Sequence, residues 1–298
     1  MSAVPVPDLP PDAAAGAAPG LPGWRPRLVA LDVDGTVADY DGWISDAVRG
    51  AVARARAAGA HVVLATGRSL LGTRPIVESL GLTDGWCVCS NGTLTATVRP
   101  WRVAEAVTFD ASPAVRALLE VAPDTLVAVE DVERGYLVNA PFPDGELFGD
   151  QIVTPLRDMI GRPVHKVVLR RPDSTPQEFF RLVEQAGLKG VDYVIGFTAW
   201  LDVVPAGVSK ASALDKVRRR LGLPVEATAA VGDGYNDVEM LRWAGRGIAM
   251  GNAPAAVQDV ADEVTWGVED DGVAVVLDRW FAGDGQDSTA EVRHAGHD

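Results

Sequence analysis

The chain has 298 residues and a net charge of −14, with 47% hydrophobic and 23% charged residues. This composition predicts a globular fold with a sizeable core, in one large domain or two medium ones. The acidic charge argues against nucleic acid and anionic membranes as partners. We find no run of ~18 apolar residues, no signal-peptide pattern and no disulfide framework, so we expect a cytoplasmic protein.

Short apolar runs alternate with amphipathic stretches in the first third of the chain. Residues 1–24 are rich in Pro, Ala and Gly and are predicted to be disordered. Strands are then predicted over 28–31, 61–65 and 86–90. Helices are predicted between them, over 45–58 and 69–80. This β-α-β-α-β order predicts an α/β fold with a doubly wound parallel sheet.

The same alternation returns near residue 205. The predicted elements are a helix over 209–221, a strand over 228–231, a helix over 236–243 and a strand over 246–250. We therefore expect one discontinuous α/β core, residues 25–93 and 205–282, which is divided by an insert over residues 94–204. The polar tail, residues 283–298, is predicted to be flexible.

The insert has a different pattern from the core. Its predicted strands cover 106–109, 125–129, 136–138, 166–169, 191–195 and 201–204, and its predicted helices cover 113–121 and 176–187. Strands outnumber helices, which predicts a separate α+β unit. Placed over the edge of the core sheet, such a lid would exclude macromolecules and water and would position small molecules.

Two carboxylates stand two residues apart at the end of the first predicted strand. Because strand side chains alternate, Asp32 and Asp34 project to the same side, where their charges repel unless a cation holds them. Mg²⁺ prefers such oxygen ligands. The spacing therefore predicts a magnesium site and phosphoryl chemistry with an aspartate nucleophile.

Two further polar segments precede predicted helices of the core. Thr66 and Gly67 can form a phosphate cradle with the N-terminus of the helix that follows, although Thr66 could simply cap that helix. Lys210 opposes the dipole of the helix that it begins, so an anionic partner would explain it. A solvated side chain is the commoner outcome for a single lysine.

A third polar segment follows the predicted strand over 228–231. Asp237 could be a carboxylate at a helix N-terminus and nothing more, whereas Asp233, between two glycines at the strand end, has no such structural explanation. In open parallel sheets, ligands bind at the carboxyl ends of the strands. We therefore expect all these polar segments to converge on one edge of the core sheet.

Taken in order, four segments resemble the motifs of the haloacid dehalogenase (HAD) superfamily of phosphatases. They are DVDGT at 32–36, ATGR at 65–68, GVSK at 207–210 and VGDGYND at 231–237. The long insert between the second and third motifs resembles that of the Cof-type branch, whose cap is an α/β module. The resemblance covers about residues 27–280, and it implies a Rossmann-like core with an inserted cap domain.

The resemblance also implies a role for each matching residue. Asp32 would be the nucleophile that forms an aspartyl-phosphate, and it would also bind Mg²⁺. Asp34 would give a backbone carbonyl to the metal, protonate the leaving oxygen and then activate water. Asp233 would be a metal ligand, and Asp237 would support the metal site from outside. The phosphoryl-binding residues would be Val33 through its backbone N–H, Thr66, Gly67, Lys210 and Asn236.

These observations predict a Mg²⁺-dependent phosphatase for a small phosphorylated metabolite, with a sugar phosphate favoured. Phosphatases for nucleotide, flavin-precursor or pyridoxal phosphates, a phosphomutase and a non-catalytic phosphometabolite-binding module stay open. Monomer and homodimer are both open. In the insert, residues 130–134 and Trp200 are candidate substrate contacts, although a solvated turn and packing within the insert, respectively, are the favoured interpretations.

Overall fold

The computed structural model describes residues 23–195 and 198–282. The predictions of disorder for residues 1–22 and of flexibility for the tail 283–298 lie outside the described residues. Trp24, which the sequence placed in the disordered segment, is only 7% exposed and packs edge-to-face on Trp280. The predicted disordered segment therefore extends too far along the chain at its end, because the Trp24 indole joins the core.

Short strands supply the two sheets of the fold. In chain order they are β1 Leu28–Leu31, β2 His61–Ala65, β3 Trp86–Cys89, β4 Leu94–Thr97, β5 Arg102–Ala106, β6 Leu126–Asp131, β7 Gly135–Val138, β8 Asp150–Val153, β9 Val167–Arg170, β10 Val191–Ile195, β11 Trp200–Pro205, β12 Thr228–Gly232, β13 Arg246–Ala249 and β14 Glu263–Val264. Strand β1 is a continuous apolar run and β12 has no polar side chain after Thr228, as is typical of parallel strands covered on both faces.

Helices cover the faces of these sheets. In chain order they are α1 Asp46–Ala57, α2 Leu70–Ser79, α3 Ser112–Val121, α4 Leu156–Ile160, α5 Pro176–Ala186, α6 Lys210–Arg220, α7 Val238–Trp243, α8 Ala255–Gln258 and α9 Gly272–Phe281. Serine or threonine side chains cap α1, α2, α5 and α6. No helix in the described part of the chain combines the length and hydrophobicity that a membrane span requires.

The first sheet has the order β14-β13-β12-β1-β2-β3-β4-β5. Its strands from β14 to β3 are parallel, which confirms the predicted doubly wound α/β core. Strands β4 and β5 add to it antiparallel. The predicted start of the insert at residue 94 is therefore wrong by two strands, because both strands pair with the core sheet.

The second sheet lies in the insert and has the order β10-β11-β9-β6-β7-β8. Helices α3 and α5 pack on it over a hydrophobic core of its own, in which Leu118, Leu169 and Phe179 are buried. The core sheet has separate buried clusters on its two faces. Each sheet thus has its own hydrophobic core, as an α+β cap inserted into an α/β core would have.

Candidate active site

The polar motifs meet at the carboxyl edge of the core sheet. Strand β1 ends just before Asp32, and its neighbour β12 ends just before Asp233. Because the two strands are parallel and adjacent, both carboxylates emerge on the same edge. Oxygen atoms of Asp32, Asp233 and Asp237 lie within 4.8 Å of one another, and all three residues are buried.

Lys210, at the first position of α6, lies between two of these carboxylates. Its Nζ is 2.6 Å from Asp32 Oδ1 and 2.7 Å from Asp237 Oδ1, and its side chain is 1% exposed. The interpretation of a solvated lysine is therefore wrong. Asp237 is more than a helix carboxylate, although its other oxygen does accept from the backbone N–H groups of Asp233 and Gly234.

The charges of this cluster are unbalanced. Burial, together with the negative charges of Asp237 and Asp233, raises the pKa of Asp32 well above its ordinary value despite the contact with Lys210. Three carboxylates thus surround one ammonium group, and the possible metal ligands that they offer are all oxygen atoms. Such a set fits a hard divalent cation such as Mg²⁺, which would relieve the repulsion that the lysine leaves.

Asp233 is held by three neutral groups to which the sequence analysis assigned no role. The hydroxyl group of Tyr40 donates to Asp233 Oδ2 at 2.8 Å, and the Asn252 amide donates to the same oxygen at 3.2 Å. Thr36 donates to the other oxygen at 3.3 Å. Burial and the neighbouring Asp233 raise the pKa of Tyr40 to about 12, so this phenol stays a donor. The carboxylate orientation is therefore fixed by groups outside the cation site.

Gly35, in the first motif, lies directly against the carboxylate of Asp233. It has a φ of +77°, which favours glycine, and a Cβ atom there would lie 2.3 Å from Asp233 Oδ2. Position 35 therefore needs glycine both for its backbone conformation and for the close approach of the Asp233 carboxylate.

Asp34 lies beside this cluster and is paired with Arg68. Arg68 donates to both oxygens of the Asp34 carboxylate, with Nε at 3.0 Å from each. The Asp34 side chain is 42% exposed and lines the cleft in front of the sheet. The hydrogen bonds with Asp34 raise the pKa of Arg68. Arg68 belongs to the ATGR segment, yet the sequence analysis assigned it no role.

The predicted phosphate-binding residues differ in their access to this cleft, which Val33, Thr66 and Lys210 do not line. Gly67 and Asn236 line the cleft. Thr66 is fully buried, and its hydroxyl accepts from the backbone N–H of Arg68 at 3.1 Å. Ser69, and not Thr66, caps α2, so the interpretation of Thr66 as a helix cap is wrong. Val33 is fully buried in the turn after Asp32.

A cleft of about 1100 Å³ separates the core from the insert. The insert contributes charged and aromatic side chains to its wall, namely Tyr136, Glu146, Phe148, Lys166, Tyr193, Trp200 and Asp202. Trp200 both lines the cleft and packs edge-to-face on Phe142. Packing within the insert therefore describes only part of its environment.

The interpretation of residues 130–134 as a solvated turn is wrong for Glu130. Asp131 and Arg134 do form an exposed turn with an ion pair, but Glu130 is 5% exposed. Its carboxylate accepts from the backbone N–H of Leu70, the first residue of α2, and from the Ser90 hydroxyl. Burial alone would raise the pKa of Glu130, but hydrogen bonding and charge from His165 lower it below its ordinary value. This residue joins the insert to the core.

A sequence model of the haloacid dehalogenase-like hydrolases matches residues 29–277. YkrA of Bacillus subtilis (strain 168) is 30% identical over 257 residues, which cover 84% of this chain and 96% of YkrA. YcsE of the same strain, a 5-amino-6-(5-phospho-D-ribitylamino)uracil phosphatase, is 28% identical and covers 85% of this chain and 95% of YcsE. The solved structure of BT1666 from Bacteroides thetaiotaomicron, a phosphatase of the HAD superfamily, has a TM-score of 0.71 and 28% identity, covering 90% of this chain and 99% of that chain.

Proposed function

The chain belongs to the haloacid dehalogenase-like hydrolases and is a phosphatase of that family, and we propose that it hydrolyses a small phosphorylated metabolite through an aspartyl-phosphate on Asp32. The observation that carries this proposal is the buried contact of Lys210 with Asp32 at the edge of a cleft. Burial and the charges of Asp237 and Asp233 raise the pKa of Asp32, and Lys210 opposes them, so the lysine favours the ionised carboxylate, which is the nucleophilic form. The acidic cluster beside it supplies oxygen ligands.

The first step transfers the phosphoryl group to the enzyme. Asp32 attacks phosphorus, and the bond from phosphorus to the leaving oxygen breaks. Asp34 gives its proton to that oxygen, and its position in the cleft supports this role. In this step the leaving oxygen takes the place that Arg68 holds beside Asp34 in the present structure.

The second step returns the enzyme to its starting state. Asp34 now takes a proton from a water molecule, which attacks phosphorus and breaks the bond to Asp32. Inorganic phosphate leaves, and both carboxyl groups are restored. The proposal assigns the holding of the phosphoryl oxygens in both steps to the backbone of Val33 and Gly67, the hydroxyl of Thr66, and the side chains of Lys210 and Asn236.

Magnesium completes the proposed site. Asp32 and Asp233 would hold the ion with their carboxylates, Asp34 with its backbone carbonyl, and Asp237 would support it from outside. When bound, Mg²⁺ supplies charge stabilisation for the phosphoryl oxygens. Tyr40 keeps the Asp233 carboxylate oriented toward the site.

The cleft supports a small substrate with a ring in its leaving group. The insert covers the sheet edge, and the aromatic side chains of Tyr136 and Trp200 line the wall. A sugar phosphate fits this description and is the class that we propose first. A phosphorylated flavin precursor is the second candidate, because YcsE, which covers most of this chain, is named for such a substrate.

A substrate panel tests this function. Phosphate release is measured from sugar, nucleotide, flavin-precursor and pyridoxal phosphates, with and without Mg²⁺, and with Asp32→Asn as the blank. We expect Mg²⁺-dependent release that the blank lacks, with one class preferred. Conversion of a substrate into its isomer without net phosphate would indicate a mutase instead. Binding without any turnover would leave the non-catalytic module as the better account.

The proposal also includes a cytoplasmic location. Cys87 and Cys89 are buried and form no disulfide with each other, which suits a reducing compartment.

A further inference from the structure

A strained loop over residues 90–92, after β3, contacts residues of the proposed phosphate site. Ser90 and Asn91 have φ values of 52° and 55°, in the left-handed region that non-glycine residues seldom adopt, and Gly92 follows with a φ of 100°. All three residues are buried. Strain of this kind persists only where surrounding contacts hold it, and it is common at functional sites.

This loop contacts two of the proposed phosphate-binding residues. Asn236 donates to Asn91 Oδ1 through its side-chain amide at 3.0 Å. A Cβ atom on Gly67 would lie 3.1 Å from the same Asn91 oxygen, so the glycine backbone packs directly against this side chain. One asparagine therefore sets the positions of both a side-chain amide and a backbone segment that face the cleft.

The insert also contacts Asn91 and Gly67, through Asp202 and Lys166. Asp202 Oδ2 accepts from the Asn91 amide at 2.9 Å and lies 2.9 Å from Lys166 Nζ. Lys166 also donates to the backbone carbonyl of Gly67 at 2.8 Å. The two ionic residues are 3% and 7% exposed. The insert is thus connected to Gly67 through Lys166, and to Asn236 through Asp202 and Asn91.

Fold stability alone is a weak explanation for this ion pair. Taking two charges out of water offsets most of their attraction, and apolar residues of similar size commonly serve stability as well or better. Here the hydrogen bonds of the pair to the core involve Gly67, which lines the cleft, and Asn91, which contacts the cleft-lining Asn236. Burial alone would lower the pKa of Lys166, but Asp202 raises it above its ordinary value, so the ammonium group stays charged and keeps its donors.

We propose that Lys166 and Asp202 are positioning residues that fix the phosphate-binding groups of Gly67 and Asn236 from the insert. The inference rests on the proposed function, because it takes those two residues as phosphate ligands. It adds that the insert organises the site for the phosphoryl group itself, and does more than select the leaving group. Substitution of the pair should therefore weaken binding of phosphate even when no leaving group is present.

Titration of the Mg²⁺-loaded full-length protein with inorganic phosphate measures this effect directly. We expect Lys166→Met to raise the Kd for phosphate about tenfold, because one charged hydrogen bond to the cradle is lost. With para-nitrophenyl phosphate, KM should rise by a similar factor and kcat should fall less. Lys166→Arg keeps donors for both partners and should restore most of the affinity.

Two further variants keep the test decisive. Asn91→Gly keeps the left-handed backbone conformation accessible. It removes the side chain that hydrogen-bonds to both Asp202 and Asn236, so it should also raise the Kd for phosphate. Arg246→Met is the matched control, because Arg246 pairs with the buried Glu263 at 3.1 Å but lies at the opposite end of the core strands. The control should lower stability and leave the Kd unchanged.

The outcomes separate this inference from the proposed function. The inference would be overturned if folded Lys166→Met and Asn91→Gly proteins bound phosphate with a Kd within about twofold of the wild-type value. Turnover by the wild-type protein would in that case leave the proposed function intact. If Lys166→Met fails to fold, Asn91→Gly alone decides the question. Wild-type protein that neither binds phosphate nor releases it from any ester would overturn both.

Discussion

Lys210 shows how one side chain can serve the fold and the proposed chemistry together. Burial alone would lower its pKa, but the carboxylates of Asp237 and Asp32 raise it above the ordinary value. The ammonium group therefore stays charged although its side chain is only 1% exposed, and it lies 2.6 Å from the proposed nucleophile. At this distance the lysine counters part of the charge on Asp32, and the remainder favours a bound cation.

Replacing Asp34 by Asn should remove the proposed proton transfer and little else. The Asp34 side chain is 42% exposed, so its substitution leaves the buried core untouched. We expect kcat to fall about 10²- to 10⁴-fold, the range typical of a general acid or base, with little change in thermal unfolding. Steady-state kinetics on the preferred substrate measures the effect. Near-normal kcat in this variant would remove Asp34 from the proton-transfer role.

Replacing Tyr40 by Phe should weaken Mg²⁺ binding. The phenol donates to Asp233 at 2.8 Å, and loss of such an orienting contact typically lowers metal affinity about 10- to 100-fold. Calorimetric titration of the protein with Mg²⁺ gives the affinity without reference to activity. Tyr193→Phe is the matched control, because this tyrosine lines the cleft from the insert. Equal Mg²⁺ affinity in both variants would contradict the role given to Tyr40.

At the scale of elements, the loop over residues 90–92 links strand β3 to helix α6. A Cβ atom on Gly92 would lie 2.2 Å from the backbone carbonyl oxygen of Ser209, the residue that caps α6. Lys210 follows directly. The position of the proposed active-site lysine thus depends on a close backbone approach that only glycine permits.

Gly92→Ala should therefore destabilise the protein and displace the start of α6. The clash adds to the backbone strain at a φ of 100°, so we expect a loss of about 2–4 kcal/mol in the free energy of unfolding. Gly222→Ala provides the comparison, since its φ is 65° and a Cβ atom there meets nothing within 4 Å. Chemical denaturation measures both variants. A similar loss at both positions would show that the backbone conformation, and not the contact with Ser209, dominates.

The sequence predicted the elements whose signals are local. The continuous apolar runs of β1 and β2 identified buried parallel strands, and the polar residues after them identified the edge that holds the site. Strand β5 was misplaced to residues 106–109, because its residues alternate between exposed and half-buried and form no apolar run. Pairing with β4 defines this strand, and a local pattern does not reveal such pairing.

The residues that the sequence analysis missed are those whose roles arise from contacts distant in sequence. Lys166 and Gly67 are 99 residues apart, and Asn91 and Asp202 are 111 residues apart. The sequence does contain a weaker signal, since Lys166 and Asp202 are charged residues beside or within apolar strands of the insert. Charges in such places call for partners, but only the packed insert shows that these partners belong to the active site.

At the scale of the whole molecule, the core and the insert each bury hydrophobic clusters of their own and meet across a cleft. The insert buries Val127, Leu169 and Leu201 in its own cluster, apart from the clusters of the core sheet. Polar contacts join the two units, as the hydrogen bonds from Lys166 to the Gly67 carbonyl and from Asn91 to Asp202 illustrate. Val132 of the insert also packs against a hydrophobic cluster of the core sheet. This arrangement places charged groups from both units around the cleft, while each unit has hydrophobic clusters of its own.

The insert should therefore fold when it is expressed alone. We expect residues 107–205 to give a cooperative thermal transition and the circular dichroism of a mixed α and β protein, because the sheet and its helices enclose one hydrophobic cluster. The stability should be lower than that of the full chain, since Glu130 and Lys166 lose partners in the core. A chain without a cooperative transition would show that the insert depends on the core for folding.

The position of the phosphoryl group during turnover tests the central claim most directly. The Mg²⁺-loaded enzyme is mixed with its preferred substrate, quenched in acid and digested, and the peptides are analysed by mass spectrometry. We predict a phosphoryl group on the peptide that contains Asp32, and none in Asp32→Asn, which should also release no phosphate. Phosphate release by Asp32→Asn at the wild-type rate, or a phosphoryl group on another residue, would contradict the mechanism.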